Sequence, residues 1–170
     1  SGSWHGMSLA ALLGQGDPDF THLSGAAPAL DPHHVCIFGA RDIDPPEREF
    51  ADQYGVQIIT MEDIRRRGLE PCWQEALDIV HTGTQAQALS FDIDCLSPDF
   101  PLATGTPVPG GFKPEEILPL ITALNPADWD LMELTELNPI LNIDGADINA
   151  SVALARDIAA ALLASVRSNN

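Results

Sequence analysis

Residues 88–94 read Ala88-Leu89-Ser90-Phe91-Asp92-Ile93-Asp94, an apolar run that ends in two aspartates one residue apart. A short apolar run bounded by polar residues fits a buried strand. Side chains of a strand alternate between its faces, so residues i and i+2 share one. The pattern therefore predicts Asp92 and Asp94 side by side at a strand's end. Two carboxylates that close repel unless a cation neutralises them, and hard oxygen donors suit magnesium, manganese or calcium. The bland alternative for either residue is an aspartate that merely caps the next turn.

Working outward, apolar or β-branched runs recur at 35–38, 56–60 and 131–135. Helical spacing fills 7–13, 46–54, 62–68, 72–80, 114–124 and 148–166. Strands alternating with helices of this length predict βαβ units, hence an α/β fold with a mostly parallel sheet covered on both faces. Right-handed crossovers make such a sheet doubly wound. Ligands bind it in the loops beyond the carboxyl ends of the strands. The one long irregular stretch after a strand, Pro98 to Gly111, is of the length that is functional or disordered in compact domains, and its apolar and Thr content argues for order.

The chain has 170 residues, 45% of them apolar, which predicts one domain over 1–170 with its own core. Every apolar run is broken by Asp, Glu, Gln, Pro or Gly well short of the ~18–20 residues of a membrane span. The 25 acidic against 8 basic residues, a formal net charge of −17, disfavour nucleic acid and anionic membrane as partners. An acidic field draws cations, either a metal or a cationic substrate, although it also serves solubility alone. Cys36, Cys72 and Cys95 form neither a CxxC pattern nor an even disulfide set, which points to a reduced, cytoplasmic setting. Arg65-Arg66-Arg67 reads as a solvated helix face, with an oligomer contact as the alternative, and His22, His33, His34 and His81 read as loop or surface residues.

Further motifs stand in order around the aspartate pair. They are Ser1-Gly2-Ser3-Trp4-His5-Gly6-Met7, then Gly39-Ala40-Arg41-Asp42-Ile43-Asp44, then Ala103-Thr104-Gly105-Thr106-Pro107-Val108-Pro109-Gly110-Gly111, then Glu136-Leu137-Asn138-Pro139. Together with Ser90 to Asp94 they resemble, over essentially the whole chain, the C-terminal portion of the ureohydrolase superfamily of arginases and agmatinases. The RDIDPPE turn and the placement of His5 resemble the arginases more. Ser97 stands where that family usually has Asp, Leu102 where Pro is usual, and Ser3 where Asn is usual.

The resemblance implies a three-layer α/β sandwich in which two manganese ions share a bridging hydroxide that attacks a guanidinium carbon, releasing urea and an amine. Carried onto this chain, it makes Asp92 and Asp94 metal ligands and His5 the proton shuttle to the leaving amine. It makes Glu136 the carboxylate that pairs with the guanidinium, and it assigns Ser1, Ser3, Asp44 and Thr106 with Glu136 to substrate binding, the first four along the substrate's amino-acid end. Histidine suits proton relay near neutrality, and a carboxylate can accept two parallel hydrogen bonds from a planar guanidinium. The family's other four metal ligands, a GGDHS histidine and a DAHxD trio, have no counterpart here. The expectation is accordingly a chain that begins in mid-protein and is inactive alone, completed by a missing N-terminal segment or a separate chain. A vector-derived Ser-Gly-Ser is the alternative account of the opening residues. The family typically forms trimers or hexamers, which implies a homo-oligomer. The rival readings are an inactive remnant that keeps only fold and oligomer surface, and a substrate such as agmatine or a guanidino acid in place of arginine.

Overall fold

A computed structural model describes residues 4–23, 25, 27–100, 103–138, 140 and 148–166, with the backbone alone for 4, 5, 126 and 164–166. The chain divides into two compact units, Ser1–Thr84 and Gln85–Asn170.

The first unit opens with a 3-10 turn, Trp4–Met7, and two short helices, α1 (Ser8–Leu12) and α2 (Pro18–Thr21). Asp17 caps α2 by accepting the Asp19 N–H at 2.9 Å, and Pro18 occupies the first helical position, where its missing N–H costs nothing. Then come β1 (Cys36–Ala40), α3 (Pro45–Tyr54), β2 (Gln57–Thr60), α4 (Met61–Arg67) and α5 (Leu69–His81). β1 and β2 pair in parallel with α3 between them, the βαβ unit that the alternation predicts. α3 stops at Gly55, whose φ of 84° lets the chain turn back into β2. Thr60 closes β2 and starts α4 through a reciprocal cap: Asp63 N–H donates to Thr60 Oγ1 at 3.1 Å, and Thr60 N–H to Asp63 Oδ2 at 3.2 Å.

Leu13, Ala51 and Val56 form the centre of one core cluster, with Leu9, Leu30, Val35, Ile37, Phe50 and Ile58 against it. On the other side Phe38 meets Trp73 edge to face, their rings 5.2 Å apart. Cys36 behaves as the small hydrophobe its strand setting suggests, since burial and the nearby Glu75 charge push its thiol up to about 12. The arginine run stays on the surface as expected, with Arg66 paired to Asp63 at 2.6 Å and Arg67 to Glu75.

The second unit holds β3 (Ala88–Asp92), α6 (Pro114–Thr122), β4 (Leu131–Thr135) and α7 (Ile148–Val166). β3 and β4 pair in parallel without a break from Ala88↔Leu131 to Asp92↔Thr135. α7 packs on α6 and on β4. The unit's buried side chains include Ile93, Leu96 and Ile158 at 0% exposure and Phe112 and Ile121 at 1%. Each such side chain contributes ~1.5–3 kcal/mol by leaving water. Parallel strands, helices between them and apolar seams make each unit α/β, as the sequence predicts. No helix among the described residues is long and apolar enough to cross a membrane.

Candidate functional site

The strand β3 ends at Asp92, and residues Ile93–Cys95 form a 3-10 turn. Asp94 therefore does not share a strand face with Asp92, which corrects the expected reason for their convergence. The period-2 rule applies one step earlier: Ser90 and Asp92 lie on the exposed face while Phe91 between them is buried. Ser90 Oγ donates to Asp92 Oδ1 at 3.2 Å. The parallel register puts Thr135 beside Asp92, and Thr135 Oγ1 donates to the same Oδ1 at 2.5 Å. Two hydroxyls thus fix the Asp92 carboxylate through one oxygen.

Asp94 is held by a different element. Its neighbours Ile93 and Leu96 are fully buried and anchor the turn, while Thr106, twelve residues on, donates its hydroxyl to Asp94 Oδ2 at 2.6 Å. That is the short distance of a hydrogen bond to a charged acceptor. The loop that brings Thr106 back is closed at its stem by Phe112 N–H to Cys95 O at 3.0 Å and Ser97 N–H to Phe112 O at 2.8 Å. Gly111 makes this stem possible, because a Cβ there would lie 2.5 Å from Cys95 O. Gly110 serves the turn instead, with φ of 81°. Ser97, where the resemblance leads one to expect Asp, still organises the loop start: its Oγ donates to Asp99 Oδ2 at 2.9 Å.

Glu136 follows β4 directly and is exposed. Its φ of 62° makes it the single non-glycine residue with positive φ among the described residues. That backbone costs an L-residue roughly 1–2 kcal/mol, and strain of this kind gathers at functional sites. Two residues later Asn138 N–H donates to Ala103 O at 2.7 Å, joining the Glu136 turn to the Thr106 loop. The second unit therefore gathers Asp92, Asp94, Thr106 and Glu136 at the carboxyl ends of β3 and β4.

Asp44 lies in the first unit, beyond β1. Gly39, with φ of 83°, forms a bulge in the β1–β2 pairing and redirects the chain, so that Asp44 stands at the N-cap of α3. Its N–H donates to Glu47 Oε2 at 3.1 Å. His5 falls in the Trp4–Met7 turn with its side chain outside the described residues, and Ser1 and Ser3 lie outside them altogether.

The donor set fits a divalent cation in kind, since Asp92 and Asp94 supply hard carboxylate oxygens, each oriented by hydroxyls. It does not fit in number: no group of three or more His, Cys, Asp or Glu side chains among the described residues could hold a metal ion. The sequence reading missed the supporting hydroxyls of Ser90 and Thr135. The signal for Ser90 was the same i, i+2 spacing applied backward from Asp92, and Thr135 required the strand register.

Residues 1–164 match the family model described as "Arginase family". The arginase of Brevibacillus brevis is 38% identical over 157 residues, which are 91% of this chain and 52% of that protein. The structure of arginase from Bacillus caldovelox superposes with a TM-score of 0.82 at 34% identity, covering 100% of this chain and 55% of that one. An Entamoeba histolytica arginase solved with L-ornithine gives a TM-score of 0.80 at 28% identity, over 96% of this chain and 53% of that one. The chain thus spans about half the length of the relatives it matches. With the family match running through the aspartate pair, the threonine loop and the Glu136 turn, the chain belongs to the arginase family.

Proposed function

We propose that the complete protein, this chain joined to whatever supplies the remaining metal ligands, hydrolyses the guanidino group of arginine or a related compound to urea and an amine. The observation that carries the reading is the convergence of Asp92, Asp94, Thr106 and Glu136 at two adjacent strand ends, held there by Thr135 and by the Asn138–Ala103 hydrogen bond. Membership of the arginase family implies a binuclear metal site, and manganese is the proposed metal. The chemistry a bound divalent pair supplies is acidification of water, from ~15.7 toward ~7.

This chain's residues do the rest. Asp92 and Asp94 present carboxylate oxygens in planes fixed by their hydroxyl partners, which spares the site reorganisation when a cation is held. Glu136, turned out of β4 by its positive φ, accepts two parallel N–H bonds from the planar guanidinium. Thr106 donates to Asp94, which favours the guanidinium over the expected amino-acid end, and it keeps its own lone pairs to accept from a guanidinium N–H. His5 moves a proton to the leaving amine nitrogen, while Ser1, Ser3 and Asp44 bind the amino-acid end of the substrate. Arginine is favoured over agmatine because the relatives are named arginases and one was solved with L-ornithine, the amine left when arginine loses urea.

The 170 residues alone are the inactive case in this reading, since the described donors are too few for a metal pair. Urea release from L-arginine, agmatine and a guanidino acid tests the substrate, with Glu136→Gln as the variant. The specificity constant is expected to drop ~100-fold or more in that variant, the size of a lost hydrogen-bonded interaction with a charged group. Unchanged kinetics in Glu136→Gln would remove Glu136 from the site.

A further inference from the structure

Ser151 sits in the first turns of α7 at 0% exposure, and its Oγ accepts the N–H of Ala103 at 2.7 Å. A serine within a helix ordinarily turns its hydroxyl to solvent or back onto its own helix. This one is enclosed and reaches 48 residues back along the chain. Ala103 is 1% exposed, and its carbonyl accepts the N–H of Asn138, also at 2.7 Å. Both backbone groups of Ala103 are therefore held by other segments, the N–H by α7 and the C=O by the turn two residues beyond Glu136. Ala103 lies outside any helix or strand, and buried backbone groups without partners are rare and costly, so these two bonds decide where the loop can sit. Three residues farther along that loop Thr106 grips Asp94 at 2.6 Å.

We propose that Ser151 is a positioning residue for the site: by holding Ala103 it sets the threonine loop and the Glu136 turn against each other. The proposal rests on the reading of Thr106 and Glu136 as the pair that faces the guanidinium. Ser151 lies on α7, outside the proposed set of ligand- and substrate-binding residues. It acts through one backbone amide, so its hydroxyl matters and its helix position alone does not.

Amide hydrogen exchange on the 170-residue chain tests this with Ser151→Ala and the hydroxyl-retaining Ser151→Thr. In Ser151→Ala the Ala103 and Asn138 amides exchange about tenfold faster than the change in global stability accounts for, as the loss of one buried hydrogen bond does. The loop-stem amides of Ser97 and Phe112 follow global stability alone, and Ser151→Thr restores Asn138. Where Ser151→Ala does not fold, Ser151→Cys, close in size and a weaker acceptor, takes its place with the same outcomes. Acceleration by one common factor at every amide, or an Asn138 amide that does not respond, overturns the proposal, because Ser151 is then a packing residue. If Asn138 responds and the unsubstituted complete protein releases no urea, the guanidino reading fails and the hold of Ser151 on the loop stands.

Discussion

Thr135 on β4 donates its hydroxyl to Asp92 on β3, its register partner in the parallel pair. In the proposed site Asp92 is a metal ligand, and such a ligand depends on the group behind it, because a carboxylate free to rotate must be ordered when the cation arrives. Outer hydrogen-bond partners are worth ~10–100-fold in metal affinity. Thr135→Val keeps the β-branched shape and removes the hydroxyl, so manganese affinity of the complete protein falls by about that factor. Isothermal titration checks it, and equal affinity in the variant counts against the role of Thr135.

Gly110 and Gly111 stand side by side in the sequence, yet they answer different demands. Gly111→Ala drives a Cβ to 2.5 Å from the Cys95 carbonyl and 2.6 Å from Leu96 C, both backbone atoms that cannot step aside. Overpacking of this kind costs ~1–3 kcal/mol, and it opens the stem that returns Thr106 to Asp94. A Cβ at Gly110 meets nothing within 4 Å, and the cost there is its φ of 81°, roughly 1–2 kcal/mol. Urea denaturation of the two variants gives the losses. Gly111→Ala, more than Gly110→Ala, is also expected to speed exchange of the Phe112 amide.

Thr104 is 0% exposed, and its Oγ1 has no hydrogen-bond partner among the described residues. A buried hydroxyl without a partner costs ~1–3 kcal/mol. Thr104→Val replaces it by a methyl group of the same shape, and the stability of the 170-residue chain rises by about 1 kcal/mol. A destabilised variant in the same denaturation measurement means the hydroxyl is satisfied.

Asp63 gives the fold an acid limit. Its hydrogen bonds from Thr60, then from Arg66, hold the carboxyl at about 2, below its ordinary value of 3.8. A carboxylate depressed in the folded state stabilises above its unfolded pKa, so its contribution is intact above 3.8 and is lost as pH falls toward about 2. Asp63→Asn removes that part of the acid slope. Denaturation midpoints across pH 2–5 check it, and identical slopes in the two proteins contradict it.

How much of this was legible in the sequence varies by element. The runs at 88–92 and 131–135 match β3 and β4 residue for residue, because apolar content and polar ends agree there. β1 runs on to Ala40, past the expected Phe38, since the bulge at Gly39 lets pairing resume after the glycine. α5 starts at Leu69, before the expected Cys72, and α2 was not expected at all; four residues carry no periodicity, and its start rests on the Asp17-Pro18 pair alone, an N-cap and N1 signal with no periodic run behind it. At the site, residue types were legible and their supports were not. Asp92, Asp94, Thr106 and Glu136 announce themselves by motif, while the hydroxyl of Thr135 and the reach of Ser151 depend on register and on a contact 48 residues apart. Periodicity also placed Asp94 in a strand that has already ended.

Urea release from L-arginine with manganese, by the complete protein, by its Asp94→Ala variant and by the 170 residues alone, bears most directly on the guanidino-hydrolase reading. That reading predicts release by the complete protein, a fall of several orders of magnitude in Asp94→Ala, and none from the isolated chain. No release by the complete protein, or undiminished release by Asp94→Ala, contradicts it, and urea formed by the 170 residues alone overturns the claim that their site is incomplete.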